Sequence, residues 1–448
     1  MNLNQIKNVY FIGIGGIGMS ALARYFKNIG KTVCGYDKTE TELTKELTNQ
    51  GINIHFDDEI SKIPTDFNPE NTLVVYTPAI KQLAEWEYFK ERDFEVKKRA
   101  EVLGIITKDT YCFAVAGTHG KTTTSSILAH ILHQSGVDVT GFLGGIVENY
   151  NSNLVGSGKT VTVVEADEFD RSFLHLYPNI ACITSMDADH LDIYGNKESI
   201  EASFIEFADK IEDKSKLFIT NDLPLEGVSC TINENGGFEA KNIRIENGNY
   251  VFDVQTPTEI IQNIAFSLPG KHNLMNALMA LAMAKSYGVE NQKIITALAS
   301  FKGIKRRFSY QIRTQNLVYI DDYAHHPTEI NAVHQAVTEL YPTEKVLAIF
   351  QPHLFSRTKD FADDFAKALS QFDEVILLDI YPARELPMEG ITSSWLMSKM
   401  TNSNVKLVQK QDLINTILQS DKKIIVTIGA GDIGAMVGDI KDNLLRRE

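Results

Sequence analysis

The sequence predicts an α/β protein of three domains, and three observations lead there. The chain has 448 residues, more than a single hydrophobic core ordinarily serves. Apolar strand-like runs alternate with helical stretches along most of its length. Two of those runs pass straight into a glycine turn and then a helix, at GIGGIG (13–18) and GTHGKTTT (117–124).

In chain order, NVYFIGI is a continuous apolar run, GGIG breaks it, MSALARYFKNIG has helical periodicity and KTVCGYD returns to a strand. Two buried strands joined by a crossover helix make a parallel βαβ unit. NTLVVYTPAI (71–80) adds a strand ending in a Pro-containing turn. A second unit begins at Tyr111, where YCFAVA runs into the second glycine loop and the helix after it. Its further strands are TVTVVEAD (160–167), NIACITSMDAD (179–189) and KLFITND (216–222). Between 223 and 268, pieces such as VSCTI and YVFDV stand between Asn/Gly turns and predict a small antiparallel insertion. NLMNALMALAMAKSYG (273–288) is the helix that closes this unit. From about Ser309, LVYIDDYA, KVLAIFQP, DEVILLDIYPA and KKIIVTIGAGDIG are four apolar strands with polar or small residues at their ends. Ligands of open α/β sheets gather at the carboxyl ends of strands, where these polar clusters fall.

Composition narrows the function. Hydrophobic residues make up 43% and charged residues 23%, as in ordinary globular proteins. With 44 Lys plus Arg against 58 Asp plus Glu, the net charge is −14, which argues against nucleic acid as a partner. The four cysteines, Cys34, Cys112, Cys182 and Cys230, form no CxxC pair and predict a reduced compartment without disulfides. The N-terminus lacks signal-peptide features and no apolar run is long enough to span a bilayer. The expectation is a cytoplasmic protein with no membrane partner.

GTHGKTTT is the strongest motif. Its backbone N–H groups, from Gly117 and Thr118 through Gly120 to Thr123, are placed to face phosphate oxygens at a helix N-terminus. Lys121 would bridge the β- and γ-phosphates of a triphosphate, and the Thr122 hydroxyl would ligate Mg²⁺. Val115 stands where the motif's first glycine belongs. GIGGIG fits GxGxxG through Gly13, Gly15 and Gly18, with Gly16 between them and Asp37 at the end of the next strand, where a ribose-binding acid is expected. Alone it would read as a dinucleotide site. Beside a separate triphosphate loop, it reads as a site for a nucleotide-diphosphate sugar.

EADEFD (165–170) and SMDADHLDIY (185–194) end neighbouring strands, and they offer Glu165 and His190 as Mg²⁺ ligands. Such acids also occur simply as solvated strand ends. Asn273 and Asn276 lie three apart on one helical face, suited to an adenine edge or to a plain polar face. Arg306 and Arg307 in GIKRRF would offset charge on a transferring phosphoryl group. His325 and His326 sit in a loop after a strand, where function concentrates.

The order GIGGIGMSALA, GTHGKTTT, EADE, DADHLDIY, HNLMNALMA, GIKRRF, DDYAHHPTEI, FQPH, GAGDIG resembles the Mur ligases, from Gly13 to Gly434. Within them, GIGGIGMS is similar to the alanine-adding branch. The resemblance implies an N-terminal Rossmann-like domain for a UDP-sugar (1–108), a central P-loop ATPase-type domain (109–308) and a C-terminal Rossmann-like domain (309–448). It implies ATP and Mg²⁺ as cofactors, with UDP-N-acetylmuramate and L-alanine as substrates of a monomer or homodimer. Carried over, Lys121, Thr122, Glu165 and His190 serve ATP and magnesium, and Asn273 and Asn276 face adenine. Arg307 and Asp322 bring the third domain onto the nucleotide. His325, His353 and Arg357 line the amino-acid pocket.

Two departures stand out. SFIEF (203–207) holds no lysine where several relatives carry a carbamylated one, in agreement with the alanine-adding branch. Leu354 replaces a cation that this branch often has between His353 and Arg357. The competing readings are a murein tripeptide-recycling ligase, a folylpolyglutamate-synthetase-like ligase, an NAD-dependent oxidoreductase and a non-catalytic nucleotide-binding module.

Overall fold

A computed structural model describes residues 3, 5–77, 83–187, 194, 196–246, 249–383 and 385–447. Three sheets carry the chain. The first has strands β1 (Asn8–Ile12), β2 (Thr32–Tyr36), β3 (Asn53–His55), β4 (Thr72–Tyr76) and β5 (Glu95–Lys98) in the order β3-β2-β1-β4-β5. All neighbours in it are parallel, as the βαβ pattern requires. β1 is buried along its whole length. Gly13, at φ 87°, turns the chain from β1 toward helix α1 (Ile17–Asn28).

The second sheet is built from β6 (Tyr111–Ala116), β7 (Val139–Val147), β8 (Ser152–Val155), β9 (Val161–Glu165), β10 (Ile180–Ile183), β11 (Leu217–Thr220), β12 (Val228–Ile232), β13 (Phe238–Glu246), β14 (Asn249–Gln255) and β15 (Ile260–Phe266). Its order is β15-β14-β13-β12-β11-β10-β6-β9-β7-β8. The antiparallel pairing expected for 223–268 is that of β14 with β15. β12 and β13 instead add in parallel beyond β11, so the segment prolongs the central sheet. Helix α2 (Arg99–Lys108) precedes β6, helix α3 (Lys121–Gln134) follows it, and helix α4 (Lys271–Tyr287) comes after β15.

The third sheet has β16 (Ser309–Arg313), β17 (Val318–Asp322), β18 (Val346–Phe350), β19 (Glu374–Leu377), β20 (Val405–Leu407) and β21 (Ile424–Ile428), in the order β16-β17-β21-β18-β19-β20. Only β16 pairs antiparallel. The four apolar strands of the sequence are β17, β18, β19 and β21. β16 and the three-residue β20 are half-exposed additions at the two edges, where apolar patterning is weakest. By compactness the chain falls into two units, one of Met1–Ile245, Tyr250–Phe266 and Met275–Phe301, the other of Glu246–Asn249, Ser267–Leu274 and Lys302–Glu448. All four cysteines are free, buried thiols, and no described helix is long and apolar enough to cross a membrane.

Within the first unit one side chain ties the first sheet to the second. Arg24, on α1, is 4% exposed and donates to Glu46 at 3.0 Å, to Gln50 at 3.2 Å and to the carboxamide oxygen of Asn153 on β8. Asn153 returns its Nδ2 to the Ile17 carbonyl at 2.6 Å and the Ser20 hydroxyl at 2.9 Å. The start of α1, with the glycine turn before it, is therefore anchored to the edge of the central sheet. Burial opposes the guanidinium charge, and Glu46 offsets it. Arg24→Ala strands the buried Asn153 carbonyl and should cost roughly 2–3 kcal/mol, measured as a lowered urea midpoint of the first transition.

Candidate active site

β6 lies between β9 and β10, so the loop that leaves it is flanked by the carboxyl ends of both. On the β10 side the loop is strapped down. Thr118 donates its N–H to the Ser185 carbonyl at 3.2 Å and its hydroxyl meets the Ser185 hydroxyl at 2.8 Å. The His119 N–H reaches the same hydroxyl at 2.9 Å. Gly117 and Gly120 take φ of 127° and 84°, and Gly120 caps α3. Thr122, Thr123 and Thr124 are buried at its first turn. Thr124 donates to the Asn276 carboxamide oxygen at 3.1 Å, so Asn276 braces the loop helix from α4. Asn273 donates its Nδ2 to the Pro269 carbonyl at 2.7 Å.

On the β9 side are three carboxylates and the lysine. Lys121 Nζ donates to both oxygens of Glu168, at 2.9 and 2.8 Å, and to the Gly117 carbonyl at 2.6 Å. Burial works against the ammonium, but Glu168, Asp167 and Glu165 outweigh it and leave its pKa raised. Glu165, the last residue of β9, accepts from the Thr122 hydroxyl at 3.1 Å, the Ser125 hydroxyl at 3.2 Å and the Gly144 N–H at 2.5 Å. Thr122 Oγ1 and Glu165 Oε2 thus stand side by side as an all-oxygen pair, the donor type a hard divalent cation takes. Among the described residues no group of three or more His, Cys, Asp or Glu side chains could hold a metal, so such an ion would complete its shell from phosphate and water. His190 lies outside the described residues.

The first glycine turn opens toward this place. A cleft of about 350 Å³ is lined by Gly16 and Gly18 on one side and Thr122, Glu165 and Asp167 on the other, with Arg99 between. Gly15 donates its N–H to Asp37 Oδ2 at 2.7 Å, and Thr39 donates to Oδ1 at 3.2 Å. Asp37 therefore braces the turn. A Cβ on Gly18 would lie 2.8 Å from Arg99 Nη1, so that glycine makes room for a guanidinium. Arg99 faces Asp167 at 3.6 Å. Neither Arg99 nor Glu168 stands out in the sequence. Arg99 follows β5 directly, a strand end that the short, charged EVKK conceals in the sequence.

In the second unit, Asp322 ends β17 and accepts the N–H groups of Phe308 and Ala324, each at 2.7 Å. Burial pushes its carboxyl up to about 7, against the pull of those bonds and of Arg307. Arg306, at φ 64°, folds back onto Asp321 at 3.1 Å and the Gly429 carbonyl at 2.6 Å, which makes it a brace. The predicted amino-acid pocket residues do come together. The His325 and His353 rings are 6.1 Å apart, and Arg357 Nη1 is 3.4 Å from His353 Nδ1. Burial lowers the His325 pKa despite Glu329. Tyr381 stacks on His353 at 5.7 Å, an addition the sequence did not reveal. Leu354 stands at φ 72°.

Three family models match the chain. They are described as "Mur ligase family, catalytic domain" over 8–111, "Mur ligase middle domain" over 115–284 and "Mur ligase, glutamate ligase domain" over 306–431. The UDP-N-acetylmuramate–L-alanine ligase of Flavobacterium johnsoniae is 73% identical over 445 residues, covering 99% of each chain. That of Parabacteroides distasonis is 46% identical, covering 100% of this chain and 99% of the relative. Among solved structures, the UDP-N-acetylmuramate–alanine ligase of Thermotoga maritima is similar with a TM-score of 0.83 at 27% identity, covering 98% of this chain and 100% of that one. The murein peptide ligase of Psychrobacter arcticus shares the fold with a TM-score of 0.72 at 23% identity, covering 98% of each chain.

The geometry makes Gly144 a test of the Glu165 position. A Cβ there would lie 2.5 Å from Glu165 Oε2 and push the carboxylate off Thr122. Gly144→Ala should weaken Mg²⁺-dependent ADP binding by about tenfold, ~1.4 kcal/mol. ADP titrated in EDTA should bind the variant and the parent alike, both followed by calorimetry.

Proposed function

The chain belongs to the Mur ligase family, and on that premise we propose that it joins L-alanine to the carboxylate of UDP-N-acetylmuramate at the expense of ATP, in peptidoglycan precursor synthesis. The cleft carries the proposal. It runs from the first glycine turn to Thr122 and Glu165, so a carboxylate borne by a sugar nucleotide at the turn meets the terminal phosphate of a nucleotide on the second loop. The three sheets then serve as three domains, with boundaries at 1–108, 109–308 and 309–448, for the UDP-sugar, for ATP, and for completing the ATP and amino-acid sites.

A carboxylate is a poor electrophile, and phosphorylation supplies its leaving group. The muramyl carboxylate oxygen attacks the γ-phosphorus of ATP, the bond to the β-phosphate oxygen breaks, and ADP leaves an acyl phosphate. The uncharged amine of L-alanine attacks the acyl carbon, the tetrahedral intermediate expels phosphate, and the amine proton is lost. Lys121 and Arg307 offset charge on the transferring phosphoryl group. Thr122 and Glu165, with His190, would hold Mg²⁺, which would supply further charge compensation at the phosphates. Gly13, Gly15, Gly16 and Gly18 receive the UDP-sugar, Asp37 keeps their turn in shape, and Arg99 adds a cation beside it. The backbone of Gly117–Thr123 cradles the phosphates. Asn273, Asn276 and Asp322 complete the nucleotide site. His325, His353 and Arg357 receive the α-carboxylate of alanine. Use of ATP and a nucleotide sugar supports a cytoplasmic location, and the proposed assembly is a monomer or homodimer.

Phosphate release should require ATP, Mg²⁺, UDP-N-acetylmuramate and L-alanine together and yield a product heavier by one alanine residue. Lys121→Ala should lower that rate at least about a hundredfold with the melting temperature retained. Release with a murein tripeptide in place of alanine would move the assignment to the recycling ligases, and near-normal turnover of Lys121→Ala would remove the loop from the chemistry.

A further inference from the structure

Glu168 enters the site through an unusual piece of backbone. It precedes the 3₁₀ turn Phe169–His175, in which Asp170 and Arg171 both take φ of 53°, a conformation that residues with a Cβ adopt at a cost. Two anchors hold the turn. The Tyr194 hydroxyl donates to the Glu168 carbonyl at 2.5 Å, and Phe173 stacks on Phe207 with ring centres 4.9 Å and planes 4° apart. What this over-determined turn delivers is one carboxylate, 2% exposed, to one ammonium.

An ammonium has three donors. Here two go to Glu168, at 2.9 and 2.8 Å, and one to the Gly117 carbonyl at 2.6 Å. The Thr118 carbonyl, at 3.4 Å, is a longer fourth contact. All three donors are committed, so Lys121 can bond a phosphate oxygen only in exchange for one of these bonds. The Gly117 bond is part of the loop's own shape, which leaves Glu168 as the partner that yields.

We propose that Glu168 is a positioning residue for Lys121: its two oxygens hold the ammonium against the Gly117 carbonyl until a nucleotide phosphate takes one of the two bonds, and the bond that remains keeps the lysine aimed at the γ-phosphoryl group. This rests on the reading of GTHGKTTT as the triphosphate loop of the ligase. Glu168 then acts in opposite senses on the two halves of catalysis. It competes with phosphate for the ammonium, which weakens nucleotide binding, and it fixes the direction of the ammonium, which raises turnover.

The test uses the full chain, with calorimetric MgATP titration, melting temperature and steady-state kinetics of the four-component reaction. Glu168→Gln keeps an acceptor without the charge and should bind MgATP about tenfold tighter with kcat within about threefold of the parent. Glu168→Ala removes the remaining aim and should bind MgATP at least as tightly while kcat falls about a hundredfold. In a Lys121→Ala background, Glu168→Gln should change MgATP affinity less than about twofold. Unchanged or weaker MgATP binding by Glu168→Gln overturns the proposal. So does a parallel fall of affinity, kcat and melting temperature in both variants, which is the signature of a merely structural pair. A parent protein that neither binds MgATP nor turns over would defeat the ligase reading itself, and this proposal with it. An active parent whose Glu168→Gln variant binds MgATP no more tightly, or whose Glu168→Ala variant keeps the parent kcat, defeats the proposal alone.

Discussion

A single ammonium among three carboxylates sets the terms for the rest of the first unit. Lys121 sits beside Glu165, Asp167 and Glu168 where β9 ends. Burying an isolated ammonium costs several kcal/mol, and a lysine so placed would give up its proton. Unit charges about 4 Å apart attract by roughly 4 kcal/mol at an effective dielectric near 20, so two or three carboxylates more than reverse the balance. The lysine stays charged, as phosphoryl chemistry requires. The carboxylates are in turn distributed. Glu168 is answered by Lys121, Asp167 by Arg99, and Glu165 is held by the neutral donors of Thr122, Ser125 and Gly144. An anionic substrate brought among these acids needs a further cation, and Thr122 with Glu165 is the oxygen pair that would hold one.

That arrangement depends on strand order. With β10-β6-β9 adjacent, β10 contributes Ser185 to fasten the loop, β6 contributes the loop, and β9 contributes the acids. Each strand ends in the chemistry that its neighbour lacks. Parallel pairing keeps those ends at one edge: Val115 lies opposite Glu165 and Ala116 opposite Ile183. The Arg24–Asn153 tie then holds the first glycine turn to the same edge through α1.

The parts legible in the sequence are those encoded locally. YCFAVA followed by GTHGKTTT specifies a buried strand, a tight loop and a helix start within one short stretch, and β6, the loop and α3 follow that pattern. Glu165 was visible because it ends an apolar run. Glu168 lies within EADEFD but blurs into its acidic neighbours, since which of several acids meets a lysine is decided by the turn that carries it. Arg99 was hidden for a related reason: EVKK is too short and too charged to read as a strand, so the residue after it did not register as a strand end. Arg306 and Arg307 look alike in GIKRRF. Only the positive φ of Arg306 and its bonds to Asp321 and Gly429 separate a brace from its neighbour.

GIGGIG shows how far a fingerprint can be trusted. In a dinucleotide site the second glycine admits pyrophosphate, the third allows helix–strand packing and the distant acid takes the ribose. Here Gly15 gives its N–H to Asp37, so the acid also braces the turn. Gly18 leaves room for Arg99, so the third glycine admits a cation from another helix. The same spacing thus builds a turn whose open side carries a guanidinium and looks across a cleft at Thr122 and Glu165. A hydride-transfer site has no need of that outlook. A ligase that must present one substrate's acid to another's terminal phosphate does, and a cleft that joins the first glycine turn to Thr122 and Glu165 suits that requirement.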